Sequence, residues 1–200
     1  MKPGNAGGGK WPQLEANARS DEDGGIDVSL TTPVSVQKLQ TALHAKAKES
    51  PGFRFHALYD KVYRKDVLAF AYERCKANGG AAGVDGQTFE DIEAYGVERW
   101  LDELMRELEN RTYQPLPVRR VYIPKPDGKQ RPLGVPASRD RAAEMAAVLV
   151  LEPIFEADLQ PEQYAYRRDR SALDAVRRVH KLINTGHGEI VDYSNKRGQI

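Results

Sequence analysis

Between Val118 and Pro136 the chain reads VRRVYIPKPDGKQRPLGVP, and no other stretch limits the fold as much. Val118, Val121 and Ile123 have the β-branched character of a strand, and Pro126-Asp127-Gly128 is turn chemistry. The pattern predicts two antiparallel strands joined by a tight turn. Five basic residues lie in this segment, and Lys125, Lys129 and Arg131 crowd the turn. Lys125 and Arg131 fall on opposite arms, so pairing of the arms brings them near each other. A Lys point charge beside an Arg fork suits a polyphosphate. The same spacing also fits a solvated turn with ordinary surface charge. No G-x-x-x-x-G-K loop occurs, and GGAAG at 79–83 follows a helical pattern where a dinucleotide fingerprint needs a strand.

The rest of the chain is mostly helical in pattern. Residues 1–33 are rich in Gly, Pro and short polar side chains and read as a flexible lead-in. Ser35 is the expected N-cap of a helix carrying Val36, Leu39 and Leu43 on one face, which closes before Ser50-Pro51-Gly52. Phe55, Leu58, Val62, Val67, Phe70 and Ala71 read as one or two further helices. A glycine-rich loop with an Asp-Gly turn spans 78–88. Thr88 opens a helix in which Ile92, Val97, Trp100, Leu101, Leu104 and Leu108 recur through Glu109. A buried helix runs from Asp140 to Ala157, with Met145, Val148, Leu149, Leu151 and Ile154, interrupted late by Pro153. Ser171 caps a last helix with Leu173, Val176, Val179 and Leu182 on one face. GEIVDY at 188–193 looks like the start of a strand.

Charge is uneven along the chain. The whole carries a net +1, yet residues 111–200 hold 16 Lys and Arg against 11 Asp and Glu, while residues 1–110 hold 14 against 18. A polyanionic partner therefore suits the second half better. Cys75 is the single cysteine, which excludes an internal disulfide and a thiolate zinc site and fits a reducing compartment; it reads as a small buried helix residue. No apolar run approaches the length needed to span a bilayer, so a soluble, cytoplasmic protein with no membrane partner is expected.

A second constellation is YAYRRDRSALDAVRR at 164–178, where Tyr164 and Tyr166 alternate with Arg167, Arg168 and Arg170 before Arg177 and Arg178. Aromatic faces interleaved with guanidinium groups suit stacking and phosphate contact with single strands or A-form helices. They equally fit tyrosines plugging a core edge with arginines paired to Asp169 and Asp174. His44, His56, His180 and His187 share no metal-ligand spacing with carboxylates, and no Ser/His/Asp hydrolase pattern is visible.

The segment RRVYIPKPDGKQRPLGVPASRDRAAEMAAVLVLEPIFEADLQPEQYAYRRDRSALDAV closely resembles the fingers region of group II intron reverse transcriptases, also called intron-encoded maturases. FHALYDKVYRKDVLAFAYERCKANGGAAGVDGQTFEDIE is similar to the same family's N-terminal segment, including its glycine-rich loop. The resemblance covers roughly residues 36–192. It implies a mostly helical α+β fold: a helical segment over 34–110, fingers with a small antiparallel sheet over 111–187, and a palm stub over 188–200. It implies that Lys125 and Arg131 hold the triphosphate of a dNTP, and that Arg139 and Arg141, with Tyr166, Arg167 and Arg170, line the cleft for an RNA template and DNA primer. Intron RNA is the other implied partner.

Two departures from the family pattern matter. G-F-R-P-G-R-S is written AYRRDRS, so Arg168 and Asp169 replace a Pro-Gly turn. The palm strand of the type V-D-A-D-l-S-n-y-F is met by IVDYSNKRGQI. In the register that deletes two residues Asp192 becomes the metal ligand; without the gap Ser194 takes that place. Two-metal catalysis needs carboxylates from both palm strands. The resemblance therefore implies the N-terminal portion of an RNA-directed DNA polymerase, inactive alone. Mg²⁺ belongs to the complete enzyme and is not expected to bind stably here. The alternatives are a non-catalytic RNA-binding module or a non-functional remnant.

Overall fold

Helical spacing and the hairpin signal both take shape in a computed structural model that describes residues 30–126, 128–165, 167 and 170–189. The elements in chain order are α1 (Val34–Glu49), α2 (Tyr59–Val62), α3 (Lys65–Asn78), α4 (Phe89–Tyr95), α5 (Val97–Glu109), β1 (Arg119–Pro124), β2 (Gln130–Val135), α6 (Ser138–Asp158) and α7 (Ala172–Asn184). This is a mostly helical α+β chain with a two-stranded antiparallel sheet. The described residues form two units, one ending at Ala157 and the other beginning at Asp158. Residues 190–193 of the expected strand at 188–193 and most of the lead-in lie outside the described residues. No helix among the described residues is long and apolar enough to cross a membrane.

The first unit is built around α3, which buries Val67, Leu68, Ala69, Phe70, Ala71, Tyr72 and Cys75. A helix apolar on so many sides must be surrounded, and α1, α4, α5 and α6 supply the cover. Tyr72 sits at the centre, its ring 5.8 Å from those of both Phe89 and Trp100. The N-terminus of α3 carries Asp66, which two hydrogen bonds tie to Arg64. Burial pushes the Asp66 carboxyl upward, but hydrogen bonds from Arg64 and Ser35 outweigh it and leave the group below the usual range. Ser35 lies inside α1, whose N-cap is Pro33, so the expected Ser35 cap is not formed.

Thr88 does open a helix, through a reciprocal capping box with Asp91. The expected single helix through Glu109 is broken at Gly96, whose φ of 106° is a conformation that only glycine takes without strain. Its two halves, α4 and α5, place Ile92 and the set Trp100, Leu101, Leu104 and Leu108 in the same core.

Helix α6 corrects the sequence reading in two ways. Val148 and Leu151 are 46% and 38% exposed, although Leu149 and Val150 beside them are buried. Pro153 does not interrupt the helix, which continues to Asp158. Proline removes the N–H that would bond the carbonyl four residues earlier, here that of Leu149. Gln40 of α1 fills the gap, its Nε2 donating to the Leu149 carbonyl at 3.0 Å. One step further along both helices, Lys48 Nζ donates to the Ala157 carbonyl at 3.4 Å, so α1 and α6 run side by side in parallel. Replacing Gln40 by Ala should cost about 1–3 kcal/mol by stranding that carbonyl. In a Pro153→Ala background the cost should shrink, because the helix then supplies its own donor. Urea denaturation of the four members of this cycle measures the coupling.

Candidate functional site

The hairpin emerges from the bundle with little cover. Its register pairs Arg119 with Val135, Val121 with Leu133 and Ile123 with Arg131. The ladder continues at the tip, where the Lys125 N–H donates to the Lys129 carbonyl at 2.7 Å, and Gly128 N–H closes the turn on the Lys125 carbonyl at 3.0 Å. Residues two apart on a strand share a face. Ile123, Lys125, Lys129 and Arg131 therefore lie on one face, with Lys125 and Arg131 diagonal neighbours. Both are exposed, and no carboxylate among the described residues pairs with either. Like charges on one strand face raise the positive potential of the tip. Arg120 and exposed Tyr122 occupy the opposite face.

The root of the hairpin is held by the first turn of α6, whose four consecutive residues reach three segments: both ends of the glycine-rich loop, the end of α5 and the lead into β1. Ser138 Oγ donates to the Gln87 carbonyl at 3.0 Å, and Gln87 in turn accepts from the Trp100 indole through its side chain. Arg139 forms an ion pair with Glu107 at 2.8 Å, in a geometry that falls short of an aligned hydrogen bond. Asp140, 3% exposed, accepts from the Tyr113 hydroxyl and from the Leu116 N–H. Burial first, and the Asp140 carboxylate second, push the Tyr113 hydroxyl well above the usual tyrosine range. Arg141 donates to the Gly79 carbonyl at 3.0 Å and the Ala81 carbonyl at 2.8 Å, with its guanidinium over the Phe89 ring.

The glycine-rich loop closes this arrangement. Its Ala82 carbonyl accepts from Arg119 Nε at 3.0 Å. A Cβ on Gly83 would lie 2.5 Å from the Ala137 Cα and 2.6 Å from its N, so the loop can lie against the β2–α6 junction only without a side chain. Cys75 lines a cleft of about 230 Å³ beside Gly79, Arg141 and Glu144. Burial pushes its thiol up to about 11, and it donates to the Arg141 carbonyl at 3.3 Å, which keeps it a structural thiol.

Lys125 and Arg131 thus stand together at the tip, while Arg139 and Arg141 lie at the root, engaged within the chain. In the second unit Arg167 donates to the carbonyls of Gln160 and Gln163, and Arg170 lies over the Tyr164 ring at 5.4 Å. Arg177 pairs with Asp174 and Arg178 with Glu162, and Ser171 caps α7 in a box with Asp174. Leu173, Val176 and Val179 on that helix are exposed. Tyr166 and Asp192 lie outside the described residues. Sequence reasoning passed over Asp140, Ser138 and Gly83; a carboxylate between two arginines at a helix start was the available signal.

No family model matches the chain. Protein YkfC of Escherichia coli K12 is 40% identical over 157 residues, covering 77% of this chain and 40% of that protein. Group II intron-encoded protein LtrA of Lactococcus lactis is 30% identical over 128 residues, covering 64% of this chain and 21% of LtrA. The putative COX1/OXI3 intron 1 protein of Saccharomyces cerevisiae is 30% identical over 118 residues, covering 59% of this chain and 14% of the yeast protein. The chain is a relative of the group II intron-encoded proteins. It spans less than half the length of these relatives.

Replacing Gly83 by Ala should cost about 1–3 kcal/mol, because backbone on both sides must move to admit one methyl. Chemical denaturation of the variant checks this.

Proposed function

We propose that this chain supplies the nucleotide and RNA contacts of an RNA-directed DNA polymerase of the group II intron type. In this reading β1 and β2 belong to the fingers, and their tip lies over a nucleotide triphosphate held by Lys125 and Arg131. The observation that carries the proposal is the tip itself: two exposed cations, diagonal on one strand face, without a carboxylate partner among the described residues. Phosphoryl transfer depends chiefly on positioning and on neutralising phosphate oxygens, which is what such a pair provides.

The RNA template with its DNA primer, or intron RNA, is the proposed partner on the basic half of the chain. Arg139, Arg141, Arg167 and Arg170 already have partners within the chain. RNA would compete for them, so Arg120, on the strand face opposite Lys125 and Arg131, offers a phosphate contact at lower cost. Two-metal chemistry needs several carboxylates grouped within reach of one another. Among the described residues no group of three or more His, Cys, Asp or Glu side chains could hold a metal ion, and Asp192 lies outside them. The roles proposed for the described residues are therefore binding and orientation.

The test is affinity for a deoxynucleoside triphosphate. Lys125→Ala and Arg131→Ala should each weaken it about tenfold, the equivalent of one lost charge-assisted contact. Affinity identical to that of the parent chain would remove the hairpin tip from the phosphate contacts.

A further inference from the structure

We propose that Asp140 and Arg141 are positioning residues for the hairpin, forming a bracket that fixes where its tip points. The proposal rests on the phosphate-holding role of Lys125 and Arg131. A two-stranded sheet is marginal by itself, and both strands here are mostly exposed, so packing on the core does not fix their direction. What fixes it is the root. Asp140 grips Leu116, just ahead of β1. Arg141 grips the carbonyls of Gly79 and Ala81, and the next carbonyl of that loop, Ala82, holds Arg119 at the first position of β1. Gly83 of the same loop lies against Ala137, just past the end of β2.

Leverage makes the bracket matter for function. Six residues of strand place the tip on the order of 20 Å from the root. A tilt of about 10° at the root then moves the tip by about 3.5 Å, which is more than a whole charge-assisted hydrogen bond. The chemistry of Asp140 also separates the geometry of the bracket from its charge. An asparagine can accept from the Leu116 N–H through its oxygen and donate to the Tyr113 hydroxyl through its amide, since a hydroxyl oxygen both donates and accepts. Alanine leaves both donors unpaired. The bracket thus needs two hydrogen bonds, which asparagine keeps and alanine loses.

The experiment places spin labels on the full chain at Arg99→Cys and Gln130→Cys, both exposed in the first unit, and measures their distance distribution. In parallel, binding of inorganic tripolyphosphate is measured on the same backgrounds. The parent should give one narrow distribution. Asp140→Ala and Arg141→Ala should broaden it and weaken tripolyphosphate binding about tenfold, the equivalent of one lost charge-assisted contact. Asp140→Asn should restore both the width and the affinity. A narrow distribution in Asp140→Ala, or a broad one in Asp140→Asn, overturns the proposal. Should Asp140→Ala fail to fold, Tyr113→Phe removes one of the two donors and should broaden the distribution by a lesser amount; no broadening overturns the proposal. If Lys125→Ala weakens tripolyphosphate binding and Asp140→Ala does not, the bracket is wrong and the phosphate reading stands. If the widths behave as expected but Lys125→Ala and Arg131→Ala leave binding unchanged, the phosphate reading is wrong and the bracket stands.

Discussion

A carboxylate buried to the extent of Asp140 survives only where its lone pairs are filled, because taking an ion out of water costs several kcal/mol before any partner is counted. Its partners, the Tyr113 hydroxyl and the Leu116 N–H, lie on the segment that leads from α5 into β1. The desolvation of this one side chain therefore ties the entry of the hairpin to the start of α6. Ser138, Arg139 and Arg141 extend the tie to the glycine-rich loop and to the end of α5. Without that turn the exposed strands would have no fixed direction.

The turn can act as an anchor because the helix behind it is itself anchored. Helix α6 buries Ala142, Ala146, Leu149 and Val150 against the bundle and runs beside α1. Its weak point is Pro153, where a backbone carbonyl loses its usual donor. Gln40 supplies the replacement from another helix. The proline converts a local defect into a tertiary contact that fixes α6 against α1.

Much of this was legible in the residues. Pro126-Asp127-Gly128 after the β-branched Val118, Val121 and Ile123 encodes the hairpin, and pairing of its arms brings Lys125 and Arg131 near each other. Thr88 and Ser171 announce their helices because each has a carboxylate three residues on. Other features resisted reading for physical reasons. Gly96 lies inside an unbroken helical period, and periodicity does not register a reversal of φ. Ser35 has cap chemistry, but α1 begins one residue ahead of it, at Val34. Val148 and Leu151 carry the apolar character of α6, yet which side of a helix meets the core depends on partners distant in sequence. The partners that engage Arg139 and Arg141 within the chain could not be read locally, because those carbonyls and that carboxylate come from residues far away in the chain.

The proposed function turns on whether the hairpin tip meets a triphosphate. Titrating an isotope-labelled full chain with a deoxynucleoside triphosphate, and following amide and side-chain shifts, tests it without any dependence on catalysis. The expected result is saturable shifts centred on residues 123–126 and 128–131, with the Lys125 ammonium and Arg131 guanidinium signals among the largest. Shifts that bypass the hairpin and gather instead on the lysines of α1 or the arginines of α7 would contradict it.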